Sequence, residues 1–211
     1  MEVKQNNLIK SLRIQPLIVV IRLEYDFFNI SYKRENLLFK IEKLSNYGIK
    51  NIEIGWDSNP EWLNLILEIK KKFKSINIGV ASISSRESLD SIRSLDINYS
   101  MSPFFNKEIH LNAIKYDQLV IPGISNIENF KEAINLGYKI VKIFPASKLG
   151  IKFIKELQDF QEKDIFFIGA GGIKSKDLKK LLKSGYDALI IGRELRNQTP
   201  DKDLEIWLQD Y

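Results

Sequence analysis

Ser175-Lys-Asp-Leu-Lys-Lys-Leu-Leu-Lys-Ser-Gly-Tyr-Asp-Ala-Leu-Ile-Ile-Gly192 contains the structural unit from which this chain is built. The stretch opens on a capping residue, Ser175, follows a helical pattern and stops at Gly185. Glycine ends a helix there because it enters the left-handed conformation without a steric penalty. The apolar run Ala188 to Gly192 then reads as a short buried strand. The same join, helix end then glycine then strand, recurs at Ser45-Asn-Tyr-Gly-Ile49 and Asn135-Leu-Gly-Tyr138. The chain is therefore a repeated βα unit.

Outward from that stretch, eight apolar runs read as strands: Leu17–Leu23, Asn51–Trp56, Asn77–Ser82, Tyr99–Pro103, Leu119–Gly123, Lys139–Pro145, Asp164–Gly171 and Ala188–Gly192. Amphipathic segments separate them. Between Glu35 and Tyr47, Leu37, Leu38, Ile41 and Leu44 fall on one helical face, and Trp62, Leu65, Ile66 and Ile69 do the same further on. Eight βα units in 211 residues predict an α/β fold, a (β/α)8 TIM barrel formed as one domain over residues 1–211. Glu2 to Leu12 reads as an extra N-terminal helix covering the barrel floor. The runner-up is a doubly wound open sheet. That fold normally carries a dinucleotide fingerprint after its first strand, and Arg22-Leu-Glu-Tyr-Asp26 has none.

Composition narrows the chemistry. With 44% hydrophobic residues the chain can bury a sizeable core, yet it has no apolar run long enough to span a membrane. The first residues, Met1 to Asn7, lack the apolar centre of a secretory signal. Zero cysteines exclude disulfides, thiolate zinc sites and a cysteine nucleophile, and they fit a cytoplasmic protein. The single histidine, His110, makes a Ser-His-Asp triad or a His-rich metal site hard to build, and it reads as an ordinary surface or half-buried residue of a helix over Asn106–Tyr116. The net charge is +5, but basic residues are interspersed with acids, as in Lys40-Ile-Glu-Lys43. The densest cluster, Lys70-Lys-Lys-Phe-Lys74, suits a helix C-terminus. No nucleic-acid or membrane partner is expected.

In such barrels the chemistry sits at the C-terminal strand ends. Those ends offer Arg22, Glu53, Ser82, Pro103, Lys142, Phe144, the run Gly169-Ala-Gly-Gly172, and Gly192 with Arg193. Lys142 lies in Lys139-Ile-Val-Lys-Ile-Phe-Pro145 and faces opposite to Val141 and Ile143. Glu53 likewise faces opposite to Ile52 and Ile54. An ammonium in an apolar strand snorkels to water, pairs with an acid, or is kept partly neutral. A neutral amine is a nucleophile for a carbonyl carbon, and the Schiff-base cycle also needs a carboxylate to move protons. The glycine-rich turn before a helix lets backbone N–H groups approach a phosphate, and Arg193 could clamp one.

These residues together resemble the class I 2-keto-3-deoxy-6-phosphogluconate, 2-keto-3-deoxy-6-phosphogalactonate and 4-hydroxy-2-oxoglutarate aldolase family. Lys142-Ile-Phe-Pro-Ala146 looks like its Schiff-base motif, and Val141 to Gly150 followed by Phe153-Ile-Lys155 looks like the phosphogalactonate branch. Asn51-Ile-Glu-Ile54, Ile121-Pro-Gly-Ile-Ser125, Gly171-Gly-Ile173, Gly192 and Val20-Ile-Arg22 match further motifs in the same order. The resemblance implies catalysis by Lys142 and Glu53, with Pro103 and Phe144 packing a pyruvate unit. It implies Arg22 and Ser82 at the substrate carboxylate, and Gly171, Gly172 and Gly192 at a distal phosphate. It also implies a homotrimer acting on a small keto acid or phosphosugar acid, with no cofactor and no metal, because the protonated imine is the electron sink.

The chain departs from the family pattern at several positions. Asp57 stands where many members carry an arginine for the pyruvate carboxylate. A like-charge pair at about 4 Å and an effective dielectric near 20 costs roughly 4 kcal/mol, so an Asp57 facing that carboxylate would damage binding. Ser82 replaces a threonine, Ala170 stands before the paired glycines, and Arg193 follows Gly192 where a small residue is usual. Two other readings accompany the aldolase. One is a catalytically impaired barrel that binds phosphorylated or keto-acid ligands. The other is a different phosphate-binding barrel, an isomerase or synthase, in which Lys142 forms no imine.

Overall fold

The computed structural model describes residues 1–23, 25–26, 31–32, 34–159, 164–192 and 200–211. Arg193, expected at the phosphate end, lies outside the described residues. The elements are α1 (Glu2–Ile14), β1 (Leu17–Ile21), β2 (Tyr25–Asp26), β3 (Ser31–Tyr32), α2 (Arg34–Asn46), β4 (Asn51–Gly55), α3 (Glu61–Lys72), β5 (Asn77–Ala81), α4 (Arg86–Arg93) and β6 (Ser100–Met101). They continue with α5 (Lys107–Lys115), β7 (Val120–Ile121), β8 (Gly123–Ile124), α6 (Ile127–Asn135), β9 (Ile140–Ile143), α7 (Ala146–Asp159), β10 (Phe166–Ala170), α8 (Leu178–Lys183), β11 (Ala188–Ile191) and α9 (Lys202–Leu208).

One parallel sheet runs in the order β7-β6-β5-β4-β1-β11-β10-β9-β8. Its two ends, β7 and β8, are halves of one short segment divided at Pro122, so the sheet closes on itself as a (β/α)8 barrel. The expected fifth strand, Leu119–Gly123, is broken because proline has no N–H for the ladder. Its carbonyl still accepts from the Lys142 N–H at 2.9 Å, which ties the break to the strand carrying the lysine. The small antiparallel pair β2–β3 had no counterpart among the expected strands.

The N-terminal helix forms as expected and closes the floor through two buried glutamines. Gln5 donates to the Gly137 carbonyl and accepts from the Lys139 N–H, at 3.2 and 2.7 Å. Gln15 makes the same pair of bonds to Gly48 and Lys50, at 2.9 and 2.8 Å. Gly48 and Gly137 are helix-ending glycines at φ +84° and +87°. Each glutamine therefore staples a helix end to the strand that follows it. Every β4 residue is buried, since a barrel strand is covered by the interior on one face and by helices on the other.

Two expectations need correction. Ser175 does not cap a helix: it is buried in a 3₁₀ turn over Ser175–Asp177, and α8 starts only at Leu178. His110 is not a surface or half-buried residue; its exposure is 0%. α5 itself forms, capped by the Asn106 side chain on the Ile109 N–H. The His110 ring stacks on Phe105 at 5.0 Å and meets Tyr138 edge-on at 5.6 Å, so apolar packing takes it out of water. That burial pulls its pKa down to about 4, against a hydrogen bond to the Asn106 backbone that acts upward, while the charge of Lys142 adds to the lowering.

A depressed histidine pKa stabilises the fold above the unfolded value of about 6.5, and this stabilisation is lost as pH falls toward about 4. Because His110 is the only histidine, its share can be isolated. Denaturant unfolding should show about 3 kcal/mol of stability lost through that window, beyond what His110→Phe loses over the same range. Parallel stability–pH curves for the two proteins would refute this assignment.

Candidate functional site

Parallel strands bring their C-terminal ends to one rim, and there the barrel opens into a cavity of about 490 Å³. Arg22, Glu53, Ser82, Pro103, Lys142, Phe144, Gly171, Gly172 and Gly192 all line it. Nine of the ten residues singled out from the sequence thus converge on one space, and the tenth is Arg193.

Glu53, in the middle of β4, is 2% exposed, and Lys142, in β9, is 7% exposed. Each has a glycine beside it on the neighbouring strand, Gly79 for Glu53 and Gly123 for Lys142. The space beside Glu53 is filled by Tyr99: a Cβ on Gly79 would lie 2.4 Å from its ring. Glu53 Oε1 is buried without a protein hydrogen-bond partner, and the Tyr99 hydroxyl is in the same condition. Among the described residues no ion pair joins Glu53 to Lys142. The two face a common cavity from β4 and β9, which stand apart in the sheet order.

Burial dominates the electrostatics of both groups. It raises the Glu53 pKa above the usual carboxylate range, against the attraction of Lys142 and Arg22. It lowers the Lys142 pKa below the usual lysine value, against the attraction of Glu53 and with help from the like charge of Arg22. The site therefore holds an amine biased toward its neutral form near a carboxyl biased toward its protonated form. Lys142 Nζ also lies 5.5 Å from the centre of the Phe144 ring.

Arg22 follows β1 and donates from Nη1 to Ser82 Oγ at 2.7 Å. A Cβ on Gly55 would lie 3.4 Å from that Nη1, so the glycine leaves room for the guanidinium. Ser82 holds φ at +71°, a left-handed conformation uncommon for a residue with a side chain. Such strain, of about 1–3 kcal/mol, concentrates at functional sites. Across the cavity, Gly171 and Gly172 take φ +91° and +75°. A Cβ on Gly171 would meet the Phe144 ring at 2.9 Å, and one on Gly172 would meet Ser147 Oγ at 2.3 Å. This turn accepts only glycine without rearrangement, and it leaves backbone bare at the cavity wall.

Asp57 does not line the cavity. Its carboxylate accepts the Asn59 N–H at 2.9 Å in a tight local turn. Lys40 does line it, from α2, and sequence reasoning missed it, taking it only as one of the basic residues interspersed with acids. The available signal was its position three residues after buried Leu37, at the rim of the apolar stripe. Tyr99 was also missed; a large ring opposite an interior glycine is visible only once β5 and β6 are paired.

The arrangement provides an amine for addition to a carbonyl, a carboxyl for proton transfer and a cation–hydroxyl pair for an anion. Comparison with known proteins agrees in family. A family model described as KDPG and KHG aldolase matches residues 8–205. The chain is 24% identical over 182 residues to the 2-dehydro-3-deoxy-6-phosphogalactonate aldolase of Escherichia coli strain K12, covering 85% of this chain and 84% of that protein. Among solved structures it is similar to a KDPG aldolase from Legionella pneumophila, captured with pyruvate as a covalent carbinolamine intermediate (TM-score 0.74, 22% identity, 92% of this chain and 91% of that one). It is also similar to the 2-keto-3-deoxy-6-phosphogluconate aldolase of Zymomonas mobilis ZM4 with 3-phosphoglycerate (TM-score 0.78, 20% identity, 96% and 93%). On the family match, this chain belongs to the KDPG and KHG aldolase family.

Proposed function

We propose that this enzyme is a Schiff-base aldolase that cleaves a 2-keto-4-hydroxy acid to pyruvate and an aldehyde, with Lys142 as nucleophile and Glu53 as proton carrier. The observation that carries this reading is the opposed bias of the two groups: one cavity weakens the charge on both the amine and the carboxyl. Lys142 Nζ adds to the C2 carbonyl carbon. The Glu53 carboxyl protonates the resulting carbinolamine oxygen, and water leaves to give the iminium. The Glu53 carboxylate then takes the C4 hydroxyl proton as the C3–C4 bond breaks. The bonding pair passes into the iminium, leaving an enamine and a free aldehyde. Protonation of the enamine at C3 and hydrolysis of the imine release pyruvate and the amine.

Arg22 and Ser82 hold the substrate carboxylate, and Pro103 and Phe144 pack the pyruvyl unit. Backbone at Gly171, Gly172 and Gly192 receives the distal group. A phosphate there makes the substrate 2-keto-3-deoxy-6-phosphogluconate or its galactonate epimer; a short carboxylate makes it 4-hydroxy-2-oxoglutarate. The named activities of the relatives support the phosphorylated substrate. The family resemblance extends the proposal to a homotrimer in the cytoplasm, which sedimentation of the purified protein and fractionation of cells would check. Among the described residues no helix is long and apolar enough to cross a membrane.

Incubation with pyruvate and borohydride should leave a stable adduct on Lys142, read by peptide mass spectrometry. Lys142→Met should form none and lose at least about 10³-fold in kcat, because no other group takes over the covalent step. An unmodified Lys142 at saturating pyruvate refutes the imine mechanism. Glu53→Gln keeps the shape but cannot carry a proton, so kcat should fall by about 10²–10⁴-fold, and a loss under threefold would remove Glu53 from its role. Asp57 is not among the residues lining the cavity, so Asp57→Asn should change kcat/KM for the phosphorylated substrate by less than about twofold. A rise of tenfold or more would show that the acid repels the substrate, at about 1.4 kcal/mol per factor of ten.

A further inference from the structure

His110 takes no part in the mechanism above, yet the segment between β6 and α5 is wrapped around it. Ser102 Oγ lies 3.2 Å from His110 Nε2, and Nδ1 lies 2.6 Å from the Asn106 carbonyl. Nδ1 also lies 3.3 Å from the Asn106 N–H, but the much shorter approach to the carbonyl oxygen places the ring proton on Nδ1 and leaves Nε2 as an acceptor. The Ser102 oxygen accepts the Gly123 N–H at 3.2 Å, and its one hydroxyl proton has two acceptors in reach, Nε2 at 3.2 Å and the Ile121 carbonyl at 3.3 Å, of which the unprotonated Nε2 is the nearer. Phe105 stacks on the same ring. The imidazole thus fixes Ser102, Phe105 and Asn106, the residues that bracket Pro103.

Pro103 is the residue of this loop that lines the cavity. It is also pinned from the far side, since a Cβ on Gly123 would lie 2.3 Å from the Pro103 carbonyl oxygen. Gly123 in turn is the strand neighbour of Lys142. One chain of hydrogen bonds, Gly123 N–H to Ser102 to His110 to Asn106, therefore links the wall that packs the pyruvyl unit to the strand beside the nucleophile. Ser102 and His110 are 1% and 0% exposed, so water does not compete for these bonds.

We infer that His110 is a positioning residue: through Ser102 and Gly123 it sets Pro103 and the β8–β9 strand pair at the spacing at which Lys142 adds to pyruvate. The inference rests on the aldolase reading and assigns one more residue to it. His110 touches no substrate, and its effect appears in the geometry of the addition step, where misplacement by about 1 Å can cost up to about 10²-fold.

Time-resolved borohydride trapping of pyruvate tests it, with the adduct on Lys142 counted by mass spectrometry. His110→Phe keeps the stacked ring and loses the acceptor; Ser102→Ala breaks the chain with a smaller change; His110→Gln returns an acceptor near the Nε2 position. Trapping should slow by about tenfold in His110→Phe and Ser102→Ala, with a rise in the pyruvate concentration for half-saturation. His110→Gln should recover most of the lost rate, a rescue that a purely structural histidine would not show. Wild-type trapping in folded Ser102→Ala overturns the inference, as does a His110→Gln protein no faster than His110→Phe. If His110→Phe does not fold, the other two variants decide the matter. A wild-type protein that forms no adduct refutes the aldolase reading itself, whereas normal wild-type trapping with unaffected variants refutes only the role of His110.

Discussion

Removing an amine and a carboxyl from water in the same apolar barrel is the constraint on which the rest depends. Each group alone would be driven toward neutrality by desolvation, and the opposite charge of the other only partly offsets that drive. A tight ion pair would have favoured the charged forms and silenced the nucleophile. Glu53 and Lys142 instead stand on strands separated in the sheet order, close enough to influence one another and without a salt bridge between them. The cavity they share thus presents an amine of weakened charge and a carboxyl able to carry a proton.

The backbone arrangement follows from the same need. Both groups sit beside glycines, which leaves the space next to them to be filled from elsewhere: by the Tyr99 ring at Gly79, and by the Pro103 backbone at Gly123. Pro122 interrupts the ladder at the point where the barrel closes, and the break is spanned by its own carbonyl and by the buried Ser102–His110 pair. At the opposite end of the barrel, Gln5 and Gln15 bind the helix-ending glycines and the strand entries next to them. The floor is thus held by side chain-to-backbone hydrogen bonds, while the rim above it carries the chemistry.

Much of this was legible in the chain. The glycine-ended βα joins announced the barrel because a helix stop and a strand start are local events, governed by left-handed glycine and by short apolar runs. Alternation placed Glu53 and Lys142 on one side of their strands for an equally local reason. Strand lengths were overestimated because a strand ends where its neighbour stops pairing, and β6 pairs over only two residues on either side. The split at Pro122 was foreshadowed by proline chemistry, but its role in closing the ring required the pairing of both halves to be seen.

Taken by itself, the amino-acid sequence determined the barrel, the family pattern, and which residues reach the strand ends, since all three rest on local periodicity and on short motifs. Only the tertiary structure decided how deeply Glu53 and Lys142 are buried, that Asp57 stands outside the cavity lining and accepts the Asn59 N–H, that Lys40 reaches the cavity, and that His110 lies inside the molecule rather than on it. Those outcomes depend on which side chains from distant segments exclude water from a given atom. Desolvation is a property of the packed assembly and leaves no mark on the residues near in sequence.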